Sequence, residues 1–526
     1  MATPSLAMIP SAIADSKVYS VLPNNGDGDF SFNRDSSATR IGQNGLIQTI
    51  GFFGSEEVTN GTFDTNSDWS VGSGWTISGG KANVNSTSLA DMSQDIGSST
   101  GKTYKITFEV SNYVSGSVKV LLGYGSTPVS PALTASANGI YEVEATPNVT
   151  NPQRLYISTQ TATSNLSIDN ISVKEVTGDQ PRLNYDISNG VVQSCPSLLL
   201  EPASTNLITY SQDFSQSEWV KLGAGTGSAA VVTSNYATSP DGTQNASRLQ
   251  CDLNGGGSSS LNQSLIYDIY TSSGNQTISI YIKSNNGQNQ TIYLANTQTS
   301  GDTITVTSQW QRFSFSHSAA TYVFAVGLRG RTGGAINDTA DILIYGAQAE
   351  ALSYATSYIP TNGSSQTRAA ETCFGAGTSS TFNSTEGVLY AEISALANPT
   401  SQEVALCISE GQSGVNRLLI RMKTDGAIGM VLRVANTTEA SINSGVLNQL
   451  SNHKVAVKWK VNDIALWIDG VEVGTDSSAN VFSANTLDEV SFNQGNNSNQ
   501  FYGKTKDIRV FNEALTDLQL QKLTTL

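Results

Sequence analysis

Apolar residues at every second position constrain this chain more than any other feature of its sequence. In the stretch YKITFEV the large side chains Tyr104, Ile106, Phe108 and Val110 fall on one side of an extended backbone and the polar ones on the other. The same alternation runs through Val455, Val457 and Trp459, with Lys454, Lys458 and Lys460 opposite. Further short strands follow at 118–122, 140–143, 155–157 and 166–176, with no helical period between them. Strands with one apolar face bury it by stacking sheet on sheet, so the fold class is all-β, a series of β-sandwiches. One short helix is expected near the C-terminus, carrying Leu515, Leu518 and Leu523.

Composition bounds the rest. At 526 residues the chain holds several cores, at about 150 residues each. Only 13% of residues are charged, so hydroxyls and amides dress the surface. The 43 acidic residues outweigh 28 basic ones, for a net charge of -15, and no Lys/Arg cluster offers a phosphate footprint; nucleic acid is excluded as an expected partner. There is no run of about 18 apolar residues, so no membrane insertion is expected. The start, MATPSLAMIPSAIADSK, lacks a basic segment leading into a long apolar one, and no export signal is read there. Cys195, Cys251, Cys373 and Cys407 lie far apart without CxxC spacing, which argues for unpaired thiols of a reducing cytoplasm.

In chain order, residues 17–50 alternate apolar pieces with turns, Asn44-Gly45 reading as a two-residue hairpin turn. These strands bury too little to stand alone. From Asn60 the texture changes, and from Asn206 the new plan recurs. Phe63 with Trp69 is echoed by Phe214 with Trp219, TYKITFEVS by QTISIYIKS, and LSIDNISVKEV by DILIYGAQAEA. Two sandwiches of one type are expected, at about 60–176 and 206–350. Between them, CPSLLLEPASTNLITYSQDF combines an apolar run, two prolines and a switch of composition. A different β module begins near Glu386, with a meander turning at Asn462-Asp463 and at Asp469-Gly470.

Candidate chemistry is sparse. GSSTG at 97–101 satisfies G-x-S-x-G, but a nucleophile elbow needs a strand before it and a helix after it, and here a strand follows. His317 and His453 are the chain's two histidines. Glycan cleavage needs two facing carboxylates, and no Glu is followed two residues later by Asp as in E-x-D-x-x-E; other carboxylate pairs stay open. Asp64, Asn66 and Asp68 alternate as in a calcium loop, but Trp69 stands where the sharp turn needs glycine, so a plain polar loop is read. Flat aromatic faces can stack on sugar rings. Most aromatics here read as core; Trp75, between Gly74 and Thr76, and Tyr124, between Gly123 and Gly125, are the candidates for carbohydrate binding.

SFNRDSSATRIGQNGLI, QPRLNYD, the CPSLLLEPASTN stretch and GAQAEALSYATSYIPTNGSSQTRAAE resemble tailed-bacteriophage virion proteins of the fibre and adhesin type. NGTFDTNSDW and IDNISV are similar to carbohydrate-binding jelly-rolls, and WIDGVEV with KDIRVFNEALTDLQLQKL resembles concanavalin-like or laminin-G-like lectin sandwiches. The resemblance implies five parts: an anchor at 1–51, an inserted jelly-roll at 52–177, the anchor's second part at 178–205, a second jelly-roll-like sandwich with linker at 206–370, and the lectin-like sandwich at 371–526. Leu198–Leu200 are expected to pair with strands around Phe30 and Ile47. Jelly-rolls of this type often fasten their terminal strands with structural calcium (Ca2+), for which Asp169 is the candidate. The implied protein is not an enzyme. It is a head or tail fibre or decoration, exposed on the virion and bound to capsid or tail proteins. It displays its sandwiches to cell-surface glycan as a homo-oligomer, with a trimer the first expectation. The alternative reading is a secreted bacterial protein that binds or degrades polysaccharide.

Overall fold

The computed structural model describes residues 2–98, 102, 104–124, 127–128, 133–145, 153–188, 190–295, 301–318, 322–331 and 336–526. Among these, the alternating segments are strands, and the single α-helix is Asp517–Thr524. Its start is fixed by a capping box, Thr516 with Gln519, and Leu520 and Leu523 are its buried leucines; Leu518 points to solvent. The chain forms two compact units, one from Met1–Ile50, Gly178–Ala203 and Ala369–Leu526, the other from Gly51–Thr177 and Ser204–Arg368.

The first unit is a sandwich. Its larger sheet runs in the order Arg182–Asn184, Ser197–Leu200, Gly503–Phe511, Glu386–Ala395, His453–Lys460, Ile464–Ile468, Val471–Asp476, with Leu6–Met8 also paired to Gly503–Phe511. The smaller sheet runs Thr437–Val446, Ala427–Val434, Arg417–Met422, Val404–Ser409, Glu489–Ser491. Leu389, Ile393, Val455, Val457 and Trp459 from the first meet Leu406, Ile408, Leu418, Ile420 and Met430 from the second in one dry core. The Asp469-Gly470 turn is a two-residue loop with both residues at positive φ, closing Ile468 onto Val471. Asn44-Gly45 differs: Ile41 pairs with Ile47, so five residues bridge that hairpin instead of two, with the Gly45 N–H bonded to the Gly42 carbonyl and the Asn44 side chain accepting from the Leu46 N–H.

Leu198–Leu200 do not pair with the strands around Phe30 and Ile47. They lie between Arg182–Asn184 and Gly503–Phe511, with Leu198 facing Thr505 and Leu200 facing Gly503. Leu198, Leu199 and Leu200 are all buried, and such a run needs a neighbour on each edge, which the C-terminal strand supplies. Phe30 and Phe32 enter the same core along another route, pairing through Phe30–Asn33 with Thr372–Phe374 and placing the Phe30 ring 5.4 Å from that of Phe492.

Three chain segments of this unit are clamped by a buried ion cluster. Arg182 lies between Glu201 (Nη1 to Oε2, 2.6 Å) and Glu371 (Nε to Oε1, 2.8 Å), and Arg34 reaches the same Glu371 oxygen at 2.9 Å. Asp179 accepts the backbone N–H groups of Arg34 and Asp35, and Glu371 accepts that of Glu201. None of Arg34, Arg182, Glu201 or Glu371 is more than 3% exposed. Burial alone works to lower both guanidinium pKa values; Glu201 and Glu371 outweigh it at Arg182, whereas Arg34 stays lowered. The charges therefore hold together segments 34, 179–201 and 371, which lie far apart in sequence.

The second unit contains two sandwiches with one strand order. In the first, a sheet reads Gly139–Ala145, Tyr104–Ser115, Ser164–Gly178, Ala82–Ser86, Trp75–Ile77; in the second its counterpart reads Gln311–Ser318, Asn275–Ser284, Thr339–Glu350, Ala246–Asp252, Val231–Ala237. Even the register irregularity recurs, between Thr107 and Glu109 and between Ser279 and Tyr281. Side-chain alternation aligns Val110 with Ile282, one residue away from the literal match of TYKITFEVS with QTISIYIKS, because only that alignment keeps the apolar face inward. The aromatic echo is a shared lock. Trp69 donates its indole N–H to the Asn60 carbonyl at 3.1 Å and Trp219 to the Tyr210 carbonyl at 2.9 Å, each nine residues back, with Phe63 and Phe214 packed on the rings at 5.2 and 4.9 Å.

Candidate functional site

The sheet Thr437–Val446, Ala427–Val434, Arg417–Met422, Val404–Ser409, Glu489–Ser491 gives Leu406, Ile408, Leu418, Ile420, Ile428 and Leu432 to the core, so period-two alternation turns the intervening residues to the other face. Cross-strand register arranges those residues in rows. One row reads Glu489, Ser409, Arg417, Arg433, Thr438; the next Ser491, Cys407, Leu419, Val431, Ser441; the third Ala405, Arg421, Gly429, Asn443. Three arginines, an apolar strip and several hydroxyls and amides thus share one face. Two polar loops border it, 410–416 (EGQSGVN) and 493–500 (NQGNNSNQ).

Arg417 is held between those loops. A Cβ on Gly414 would lie 3.3 Å from its Nη1 and one on Gly495 3.5 Å from its Cδ, and both glycines have positive φ, at 69° and 75°. Arg417 Nη1 donates to the Gln494 carbonyl at 2.6 Å, and the residue is 6% exposed. Burial pulls its pKa down first and the neighbouring Arg433 charge second. Arg421 contacts Glu403 (3.1 Å) and reaches Ser441 and Asn443 at 3.4 and 3.3 Å. Gly429 leaves room for that meeting, since its Cβ would fall 2.3 Å from Asn443 Oδ1. Among the described residues, the Nε atoms of Arg417, Arg421 and Arg433 are all buried without a hydrogen-bond partner.

The acidic end of the face is occupied by protein. Glu489 accepts from Gln412 Nε2 and from Ser491 Oγ (2.8 Å), and burial pushes its pKa up. Cys407 is fully buried and its thiol is pushed up to about 12, which makes it a poor nucleophile. Leu419 and Ala405 are buried with it, so the face offers cationic donors, hydroxyls and amides, a combination suited to holding a ligand rather than breaking one. A second open groove, lined by Arg40, Gln43, Asn44, Gln48, Leu183 and Tyr185, is the weaker candidate, since the Arg40 guanidinium already donates to Gln48 Oε1 and the Leu183 carbonyl.

The residues singled out in the sequence lie elsewhere. Trp75 is 4% exposed and packs in the core of the first sandwich, so it offers no stacking platform; its flanking Gly74 and Thr76 mark the edge of a short strand, not a solvent loop. Tyr124 ends the strand Val118–Tyr124, and its side chain lies outside the described residues, as does Ser99 of GSSTG. Asp169 is half-buried beside Glu109; it accepts the Asn170 N–H at 2.7 Å, while Asn170 Nδ2 donates to Glu109 at 3.0 Å. Among the described residues, no group of three or more His, Cys, Asp or Glu is placed to hold a metal ion. All four cysteines are free, and Cys195 is the exposed one. The arginine face itself was missed because it is assembled by register. NQGNNSNQ, eight amide, glycine and serine residues in a row, is the signal that could have pointed to it.

Residues 377–521 match the family model of the concanavalin A-like lectin/glucanases superfamily. No curated protein matches the chain. Solved structures similar to it include the CBM40 module of the Ruminococcus gnavus IT-sialidase, at 18% identity over 27% of this chain and 84% of that one (TM-score 0.24). Others are the native heptameric SAP-like pentraxin of Limulus polyphemus (17%; 26% and 69%; 0.20) and the N-terminal CBM22-1-CBM22-2 tandem domain of Paenibacillus barcinonensis Xyn10C (12%; 61% and 100%; 0.20). The two-sheet sandwich that carries the arginine face is thus lectin-like, of the concanavalin A type.

Proposed function

We propose that this chain is a non-enzymatic virion protein of a tailed bacteriophage, a fibre or decoration on head or tail, that displays β-sandwich modules for attachment to glycan on a host surface. The observation that carries the glycan part is the face described above, where guanidinium donors, hydroxyls and an amide-rich loop converge on a lectin-like sandwich. Sugar hydroxyls are recognised by such groups. The virion part rests on the sequence resemblance. The phrases that carry it contribute Arg34, Arg182, Glu201 and Glu371, which meet in one buried cluster of a unit that the chain leaves twice and re-enters, and this supports the reading. In this reading the chain is exposed on the particle, contacts capsid or tail proteins and assembles as a homo-oligomer, a trimer being the first expectation. Calcium at Asp169 is a further proposal, with Glu109 as its neighbouring carboxylate; an unchanged melting temperature on adding calcium would remove it. Two measurements test the main reading. Mass spectrometry of purified particles should find the chain among the virion proteins, and a glycan array should show retention without release of reducing ends. Absence from particles defeats the virion assignment, and hydrolysis of a bound polysaccharide defeats the non-enzymatic one.

A further inference from the structure

We infer that the arginine face takes an acidic saccharide, one whose carboxylate or sulfate groups sit against the Arg417–Arg433 pair. This inference rests on the glycan-binding reading above and adds the ligand's charge to it. Arg417 and Arg433 are direct cross-strand partners, and like charges placed opposite one another in a sheet are destabilising. No carboxylate separates them: their row continues to Ser409 on one side and Thr438 on the other. Glu489, at the row's end, is engaged by Gln412 and Ser491.

The pair is also built rather than incidental. Arg417 is 6% exposed and lodged between two positive-φ glycines, with one nitrogen tied to Gln494 and another buried and unused. Arg433 donates to no protein group among the described residues. Guanidinium groups on directly paired residues of neighbouring strands can offer several N–H donors to one oxyanion, and bonds to charged groups are the strong ones. A neutral sugar hydroxyl would leave both cations uncompensated. Arg421 lies four residues along the same strand from Arg417, about 13 Å away, with Leu419 between them. Leu419 is buried, so the face offers two cationic positions with the half-buried Val431 between their rows, which suits charges on separated sugars of a polymer. The net charge of -15 repels an acidic polymer in general, so retention must come from a local site.

The test uses the full chain against immobilised alginate, chondroitin sulfate and polysialic acid, with dextran and xylan as neutral probes and single-stranded DNA as an anionic control. Retention on at least one acidic glycan is expected, weakened about tenfold or more by Arg433→Gln, which removes a charge-assisted donor. Arg421→Gln should weaken it less. Arg433→Gln is the primary variant because Arg417 is buried and its loss could unfold the loops; an unchanged melting temperature confirms folding. Binding to neutral glycans alone, or acidic binding that Arg433→Gln and Arg421→Gln both leave intact, overturns the inference while the glycan reading stands. Binding to no glycan overturns both. DNA retained with the same dependence on Arg433 also overturns the inference, since the face would then be reading phosphate.

Discussion

Arg34 and Arg182 on one hand, and Arg417, Arg421 and Arg433 on the other, belong to the same unit, yet their charges are met in opposite ways. In the first set each guanidinium touches a carboxylate that is itself buried, and Glu371 is shared by both. Among the described residues, only Arg421 of the second set has an ion-pair partner, Glu403, and two arginines stand directly opposite each other. Buried charge is tolerated where it is paired and hydrogen-bonded, so the first set reads as a clamp complete within the protein. The second is incomplete without something from outside. The contrast separates a structural role from a binding one by asking which charges are already compensated.

The sharpest way to break this contrast is to remove the shared carboxylate. Glu371→Gln leaves Arg34 without its carboxylate and Arg182 with only Glu201 in a dry interior, and should cost about 3–5 kcal/mol. Urea unfolding of the full chain measures it. A loss under about 1 kcal/mol would mean that water reaches the cluster, and the clamp reading would fail.

The two sandwiches of the second unit offer a smaller test. Trp219 is fully buried and Trp69 is 9% exposed, but each donates one indole bond to a carbonyl nine residues back. Replacing either by Phe removes that donor and leaves a small void, for a loss of about 1–3 kcal/mol, larger at Trp219. Calorimetry should show the lowered transition of the affected sandwich. Equal and negligible effects would show that the recurring tryptophans are decorative rather than a common lock.

These comparisons also mark what the sequence made legible. Alternation placed the strands, and the recurring aromatic pair placed two sandwiches of one plan, because both signals are local and periodic. The Asp469-Gly470 loop was readable for the same reason: two residues at positive φ admit few structures. Leu198–Leu200 were readable as buried but not as partners of Gly503–Phe511, about 300 residues away, since hydrophobicity fixes burial and says nothing of which edge is free. Trp75 was misjudged because flanking glycine and threonine look like a loop, while a strand edge can carry both. The arginine face was the least visible part. Arg417 and Arg433 become neighbours only through the register of a hairpin, and Arg417 becomes buried only through loops ending near residue 498.

A buried carboxylate of the second sandwich with no ion-pair partner among the described residues sharpens the contrast from the acidic side. Asp268 is 8% exposed, and burial raises its pKa from 3.8 to about 6, with Glu218 adding to the rise. The folded state therefore binds a proton more tightly than the unfolded chain. Its stability is undiminished below about pH 4 and falls as pH rises through about 6. Asp268→Asn removes that loss, so it should stabilise the protein at pH 7.5 by about 1–2 kcal/mol, after allowing for nearby water, and by nothing at pH 3.5. A stabilisation that is the same at both pH values would show that packing, not charge, explains it.

The smallest effect is the most telling for the arginine face. Arg433→Gln removes a cation that donates to no protein group among the described residues and relieves its repulsion with Arg417. The unliganded protein should therefore change by no more than about 0.5 kcal/mol, with the sign toward greater stability at low ionic strength, where repulsion is least screened. Thermal melts in 20 mM and 500 mM salt measure both features, those ionic strengths lying on either side of a Debye length of about 10 Å. A loss of 2 kcal/mol or more would place Arg433 with Arg182 as a charge the fold depends on. The absence of any loss, beside the large one at Glu371, leaves an arginine pair maintained against its own repulsion, and a ligand that supplies the missing negative charge accounts for it.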